Sequence, residues 1–557
     1  MTPPWVRHYD PEVPHYVAPP TAPLPYLLLH AAAKTPQAPA LVFFGRVFSY
    51  QQLAEQAARV ARAFQGLGVA PGEHLALFLP NCPQFVVAYH AALRLGAVLV
   101  PLNPLLSAKE VAYQLNDAGA KRLVVLDHFL PKVEEVRPRL KLSQLMITSL
   151  PDALPWPLSW LYSLKARRQG LSLGFKPGPG RFAWRDLLAQ PPLTDDPAPG
   201  VDDLAVLLYT GGTTGTPKAA GLTHGNLMAN VAQINAWLSH VRFGEERLVG
   251  LLPFSHSFGL TACLNWPMSQ GAQIIVLPRF EINGFIKMLR KHRPTMLPGV
   301  PTLFVALNND PRLAKLDLSA LWGCISGSAP LPVEVRDRFE ALSGCRMMEG
   351  YGLTEAGPVT HLNPVRGKRP VGSMGMPLPS TQARVMDPET GVRELPAGEV
   401  GELAIKGPQV MQGYWQRPEE TGAVLRDGWL YTGDLARRDE DGYFYIVERK
   451  KDLIISGGYN IYPREVEEVL YQFPGVKEAV AFGAPDPYRG EVVKAVIVPM
   501  DGQELNVQEI RDFCGRQLAL YKIPQSIEFR AALPKSQVGK VLRRLLREEA
   551  QAVSREQ

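Results

Sequence analysis

The sequence predicts an α/β protein, with a large N-terminal domain of mainly parallel β-sheets covered by helices and then a small α+β C-terminal domain. Three observations lead there. Between residues 48 and 127 helical patterns alternate with short apolar runs, and β-α-β alternation requires parallel strands joined by covering helices. A length of 557 residues, 46% of them hydrophobic, supplies at least two domains and an ample core. After residue 453, strand-like runs at 493–498 and 526–529 mix with helical patterns that open at Pro463 and span 507–519.

Each element has a local cause. Ser49 with Gln52 and Ser107 with Glu110 form capping boxes that open helices over 50–67 and 108–118. The apolar runs 74–79, 97–102 and 122–126 read as strands. Thr223 caps a helix whose one face carries Leu227, Val231, Ile234 and Leu238, with Trp237 beside it, and 273–277 and 295–300 add buried strands. Pro463 opens a helix with Val466, Val469 and Leu470 on one face.

Composition excludes several classes. A net charge of +6, from 59 basic and 53 acidic residues, is too small for dedicated nucleic-acid binding. The five cysteines are scattered, with no C-x-x-C pair, which suits a reducing cytoplasm. The N-terminal residues lack the basic and apolar regions of a signal peptide, and no run of eighteen apolar residues predicts a membrane span. One stretch stands apart. An aromatic and basic insertion at about 145–185 carries Trp156, Trp160 and Tyr162, followed by Lys165, Arg167, Arg168, Lys176, Arg181 and Arg185 with no acid from 165 to 185. Such a composition suits peripheral contact with the inner face of a membrane. The plainer alternative is a surface insertion with docked aromatics and solvated charges.

The chemistry centres on Thr210-Gly211-Gly212-Thr213-Thr214-Gly215-Thr216-Pro217-Lys218, which follows an apolar strand at 203–208. Glycines permit close backbone approach, threonines offer hydroxyls and Lys218 adds charge, a combination that cradles phosphate oxygens. Six residues separate Gly211 from Lys218 and Ala219 follows the lysine, so this is not a Walker A loop. Further motifs follow in order: Pro253 to Gly259 containing His256; Ser326-Gly327-Ser328-Ala329-Pro330-Leu331; Glu349-Gly350-Tyr351-Gly352-Leu353-Thr354-Glu355; Tyr431 to Asp434; Glu448 to Asp452; Ser456 to Ile461; and Leu533 to Lys540.

Together these motifs closely resemble the signatures of the adenylate-forming superfamily, which includes acyl-CoA synthetases, peptide-synthetase adenylation domains and luciferases, and within it the bacterial long-chain fatty acid–CoA ligases. The resemblance covers nearly the whole chain. It implies that Thr210 to Thr216 and Lys218 bind the β/γ-phosphates of ATP. Gly327, Ser328 and Ala329 would run along the adenine, and Glu349, Gly350, Tyr351 and Gly352 would complete that pocket, Tyr351 offering its ring to the purine. Thr354 would bond a phosphate oxygen and Glu355 would hold Mg²⁺ through a hard anionic oxygen. His256 would be the substrate-side histidine, Asp434 would take the ribose hydroxyls and Arg449 would face the nucleotide. Lys451 would be the pivot of a hinge at 448–452, between an N-terminal ATP- and acyl-binding domain (1–447) and a mobile lid (453–557). Gly457 and Gly458 would line the CoA passage, Lys540 would be the catalytic lysine, and Trp237 is either a candidate acyl gate or a plain core tryptophan.

The resemblance implies an AMP-forming acid–thiol ligase. ATP, a medium- or long-chain fatty acid and CoA would give acyl-CoA, AMP and pyrophosphate through an acyl-AMP. The alternatives are an aryl or short-chain acid CoA ligase and a stand-alone adenylation enzyme that loads a carrier protein. The oligomeric state stays open, a homodimer being one option.

Overall fold

The computed structural model describes residues 3–168, 178–194, 198–210, 217–456, 459–486, 488–535 and 541–556. Compactness divides the chain into two units, 1–382 with 405–430 and 383–404 with 431–557. The expected hinge at 448–452 thus falls inside the second unit.

The first unit is built on two sheets. One runs in the order Gly413–Tyr414, Lys218–Thr223, Leu204–Thr210, Val98–Pro101, His74–Phe78, Arg122–Leu126, Gln144–Thr148, Arg181–Ala183. From Leu204–Thr210 to Arg181–Ala183 its neighbours are parallel. The two strands before it are antiparallel additions at one edge. Both expected capping boxes form, opening the helices Tyr50–Gly66 and Ala108–Asp117. From the second of these helices Val111 and Leu115 enter the core with Phe78, Val100 and Leu123.

The second sheet runs Met376–Pro377, Val359–Leu362, Arg346–Gly352, Gly323–Ser326, Met296–Gly299, Arg247–Gly250, Gln273–Val276, Pro39–Phe43, Arg46–Ser49. Its central strands are parallel, from Pro39–Phe43 through to the pairing of Gly323–Ser326 with Arg346–Gly352. In such sheets ligands bind beyond the carboxyl ends of the strands, because the connecting loops open there. The motifs at 253–259, 326–331 and 349–355 all leave strands at that end.

The insertion is narrower than its composition suggests. The strands Gln144–Thr148 and Arg181–Ala183 belong to the sheet, paired in parallel register, because Leu145, Met146 and Ile147 are buried between its faces. Between them the described residues form a short helical turn, Leu150–Asp152, and the helix Leu158–Arg168. Among the described residues no helix is long and apolar enough to cross a membrane.

In the second unit, residues 434–438 of the strand Trp429–Arg438 pair antiparallel with Phe444–Arg449, and a single turn, Lys450–Asp452, leads to Ile454–Ser456. A sheet follows in the order Tyr459–Ile461, Ile454–Ser456, Gly490–Pro499, Val476–Asp486, with Ser526–Phe529 parallel to Gly490–Pro499. The helix Pro463–Tyr471 packs Val466, Val469 and Leu470 on one face of that sheet. On the opposite face the last helix, Arg543–Glu556, buries Leu546 and Ala550 against Val480, Phe482, Val496 and Val498.

Candidate active site

The phosphate motif begins as a hairpin. Thr210 and Lys218 end the antiparallel pair Leu204–Thr210 and Lys218–Thr223 in direct register, and the Thr210 hydroxyl donates to the Lys218 carbonyl at 3.5 Å. Gly211, Gly212, Thr213, Thr214, Gly215 and Thr216 lie outside the described residues. The Tyr113 hydroxyl donates to the Pro217 carbonyl at 2.9 Å, fixing one shoulder of the hairpin.

Around it the structure gathers three of the expected motifs. His256 caps the short helix Ser257–Leu260, its Nδ1 accepting from the Phe258 amide at 3.3 Å. An accepting Nδ1 places the imidazole proton on Nε2. The next residue, Ser257, shares a 3.0 Å hydrogen bond with the Thr354 hydroxyl. Phe258 packs on the backbone of Gly327, where an added Cβ would come within 3.1 Å of its ring. Ser328 takes a left-handed backbone at φ 70°, which few L-residues adopt and which is concentrated at ligand sites. Ala329 follows in the same loop, which is tied down where the Leu331 amide donates to the Glu349 carboxylate at 3.3 Å.

The expected adenine and metal motif is the end of Arg346–Gly352 and the turn Thr354–Ala356. Two of its glycines are required by packing. A Cβ on Gly352 would lie 2.0 Å from the Pro358 carbonyl oxygen, and one on Gly350 would lie 2.9 Å from the Leu362 side chain. Tyr351 is half-buried and its ring meets His361 edge-on at 5.9 Å between centroids. Glu355 accepts from the Tyr414 hydroxyl at 2.8 Å.

Two contributors escape sequence reasoning. Tyr414 reads there as a structural turn residue. The pairing of Gly413–Tyr414 with Lys218–Thr223 carries it into the site, where it bonds Glu355 and its ring lies 5.3 Å from the Lys218 ammonium. Burial first, and the Glu355 carboxylate second, raise its phenol pKa well above the ordinary 10.0, so it stays a donor. Asn81 is buried and pins the segment leading to His256: its amide donates to the carbonyls of Gly250 and Leu252 at 3.1 and 2.8 Å and accepts from the Phe254 amide at 2.8 Å. No local pattern marks either residue, since both partners are more than fifty positions away.

Trp237 is a core residue in this structure. It is 1% exposed, donates its indole N–H to the Asn363 carbonyl at 3.1 Å and packs edge-on against Tyr9. A side chain so tethered is poorly suited to swing as a gate.

In the second unit, Asp434 and Arg449 face each other across a strand pair, with Nε 3.2 Å from a carboxylate oxygen, and Asp434 is buried. Lys450 pairs with Glu402 at 2.9 Å. Lys451 follows on the exposed side of the turn. Gly457 and Gly458, between the paired strands Ile454–Ser456 and Tyr459–Ile461, lie outside the described residues. So does Lys540. Its flanks are described: Lys535 and Val541 form an antiparallel bridge, and Lys535 pairs with Glu478 at 2.7 Å.

Comparison with known proteins assigns the class that this fold and site define. The AMP-binding enzyme family model matches residues 28–415, and the AMP-binding enzyme C-terminal domain matches 465–540. The chain is 44% identical over 549 residues to a long-chain-fatty-acid–CoA ligase of Bacillus subtilis, with 98% of each chain covered. It is 39% identical over 552 residues to the protein of that name in Escherichia coli O6:H1, again with 98% of each covered. Among solved structures, ATP-bound MatB from Rhodopseudomonas palustris superposes with a TM-score of 0.85 at 32% identity, covering 96% of this chain and all of that one. The protein therefore belongs to the AMP-binding enzyme family. ATP and CoA as co-substrates fit that family.

Proposed function

We propose that the protein is a fatty acid–CoA ligase, joining a medium- or long-chain fatty acid to CoA through an acyl-AMP, with release of AMP and pyrophosphate. The observation that carries the chain length is that relatives aligned over 98% of both chains bear the name long-chain-fatty-acid–CoA ligase.

The reaction sets the electrostatic task. A carboxylate must approach the α-phosphate of ATP, and two unit charges about 4 Å apart repel by roughly 4 kcal/mol at an effective dielectric near 20. Lys218 and the threonines of its loop would neutralise and orient the phosphates. Thr354 would donate to a phosphate oxygen, and Tyr351 would carry the purine. His256, held by its cap, would border the carboxylate. Asp434 would accept from the ribose hydroxyls, and Lys540 would stand between carboxylate and α-phosphate. The carboxylate and hydroxyl of Glu355 and Thr354 are hard oxygen donors that suit Mg²⁺. Among the described residues no group of three His, Cys, Asp or Glu could hold a metal, so such an ion would draw further ligands from the nucleotide and water. When bound, the ion supplies positive charge to the phosphate oxygens. The small domain, from residue 453 onward, would then turn about 448–452 and bring Gly457 and Gly458 to the CoA passage.

We also propose reversible contact with anionic membrane on the cytoplasmic side. What supports it is an apolar patch on the insertion, where Trp156 is 85% exposed, Trp160 is 60% exposed and Leu158 and Leu161 are exposed beside Lys165 and Arg168. Tyr162 is half-buried. Arg181 is drawn away by Glu134, at 2.9 Å, an acid that the local sequence does not reveal.

The test is a panel of acids scored by acid-dependent AMP release, with CoA consumption followed in parallel. Preference for medium- or long-chain fatty acids with stoichiometric thioester formation is expected. Preference for benzoate-like or short acids would favour the aryl or short-chain reading, and adenylation without CoA use would favour carrier loading.

A further inference from the structure

Glu448 opens the hinge segment, in the strand Phe444–Arg449 that leads into the turn Lys450–Asp452, and is 5% exposed. A buried carboxylate needs cationic and hydrogen-bonding partners, and Glu448 finds most of them in groups that follow the turn in sequence. One oxygen accepts from the Arg543 guanidinium at 2.9 Å, and the other accepts from the Arg464 amide at 3.0 Å. The neighbouring Arg449 amide adds a third bond, at 2.9 Å. A parallel contact joins the same two segments, since the Arg464 guanidinium donates to the Ile446 carbonyl at 2.7 Å.

The groups beyond the turn are themselves tied together. Arg543 also binds Glu467 in a fork at 2.7 and 2.8 Å, and Arg547 donates to the carbonyls of Lys451 and Asp452 at 2.9 and 3.1 Å. The helix Pro463–Tyr471, the last helix and the end of the turn therefore form one cross-linked body. Its bonds to Glu448 and Ile446 are of a different kind, because they reach back across Lys451.

We propose that Glu448 is a positioning residue that clasps the hinge, holding the segment beyond Lys451 in one of its two working orientations through Arg543 and Arg464. The inference rests on the two-step reaction and on Lys451 as its pivot. Rotation at Lys451 carries Arg543 and Arg464 together, while Glu448 and Ile446 stay with the strand Phe444–Arg449. Both oxygens of Glu448 must then exchange partners. The clasp sets the balance between the orientation that makes acyl-AMP and the one that makes thioester. Glu448 touches no substrate in this scheme and acts only through that balance.

The test measures both half-reactions separately in the full-length protein: acyl-dependent pyrophosphate release, and thioester formation from supplied acyl-AMP and CoA. The wild type must run both; failure of either refutes the two-step reading itself. Given both, Glu448→Gln keeps the shape and removes the charge. One half-reaction is expected to slow about tenfold or more while the other holds or accelerates. Arg464→Ala removes the bond to Ile446 without stranding a buried charge, and it should shift the ratio of the two rates in the same direction by a smaller factor. It decides the matter if Glu448→Gln does not fold. Parallel loss of both half-reactions, an unchanged ratio, or shifts of opposite sign in the two variants would overturn the clasp while leaving the reaction assignment intact.

Discussion

Tyr414 provides a demanding check on the site, because its chemistry follows from the tertiary structure. Tyr414→Phe removes one hydroxyl and keeps the ring against Lys218. The lost bond is a 2.8 Å donation from a neutral phenol to the Glu355 carboxylate in a half-buried setting. Hydrogen bonds to charged groups contribute about 1.5–3 kcal/mol, and 1.4 kcal/mol corresponds to a factor of ten. If Glu355 is oriented by this bond for the phosphate and metal end of the nucleotide, adenylation should fall about 10- to 100-fold. The Mg²⁺ concentration for half-maximal rate should rise in step. The assay is acyl-dependent ATP–pyrophosphate exchange titrated with Mg²⁺, alongside a thermal melt. The pH dependence has a definite sign. The Tyr414 pKa is raised above its ordinary 10.0, chiefly by burial and then by Glu355, so the bond's stabilisation is fully present below about pH 10 and is lost only as pH climbs through the higher folded value. The difference in melting temperature between wild type and Tyr414→Phe should therefore stay constant from pH 6 to 9. A variant with normal exchange and normal Mg²⁺ dependence would refute the role given to this contact.

Three further outcomes are expected. Lys540→Ala should lower acyl-AMP formation on the order of 10²–10³-fold while thioester formation from supplied acyl-AMP stays within a few-fold of wild type; equal loss in both, in a protein that melts normally, would remove Lys540 from its role. Lys535→Ala, which removes an equal charge five residues away, should do far less to acyl-AMP formation, and because it also breaks the salt bridge to Glu478 its melting temperature must be compared as well. Gly259→Ala should destabilise the fold by about 1–3 kcal/mol or more, measured by denaturant unfolding, since the new Cβ would lie 2.1 Å from the Pro253 carbonyl oxygen and neither backbone can yield cheaply. Finally, the wild type should float with anionic liposomes, and Trp156→Ala with Trp160→Ala should abolish flotation without loss of activity in detergent; a wild type that never floats would mean that the exposed tryptophans serve another purpose.

Much of the molecule was legible in its sequence because the causes are local. Ser49 with Gln52, and Ser107 with Glu110, satisfy amide groups within one helical turn, so both helices could be placed from four residues. The β-α-β alternation forecast parallel strands for the same kind of reason, a connection too long for a hairpin and too apolar to remain exposed. The motifs from Thr210 to Lys540 identified a family before any contact was known, and the family models cover 28–415 and 465–540. Only the tertiary structure could decide which distant groups meet. Tyr414 joins Lys218 and Glu355 through an edge strand of two residues, too short to carry a periodic pattern. Asn81 positions the approach to His256 across 173 residues, and Arg543 reaches Glu448 across 95. The charge run at 448–452 carries no local sign of which of its members is buried; folding turned Glu448 into a group that must be paired and left Lys451 exposed. Sequence reports the bonds a residue can make with its neighbours along the chain. Which buried charge is paired, and by what, depends on how strands and helices close on one another, because the desolvation that makes such a pairing obligatory exists only after folding.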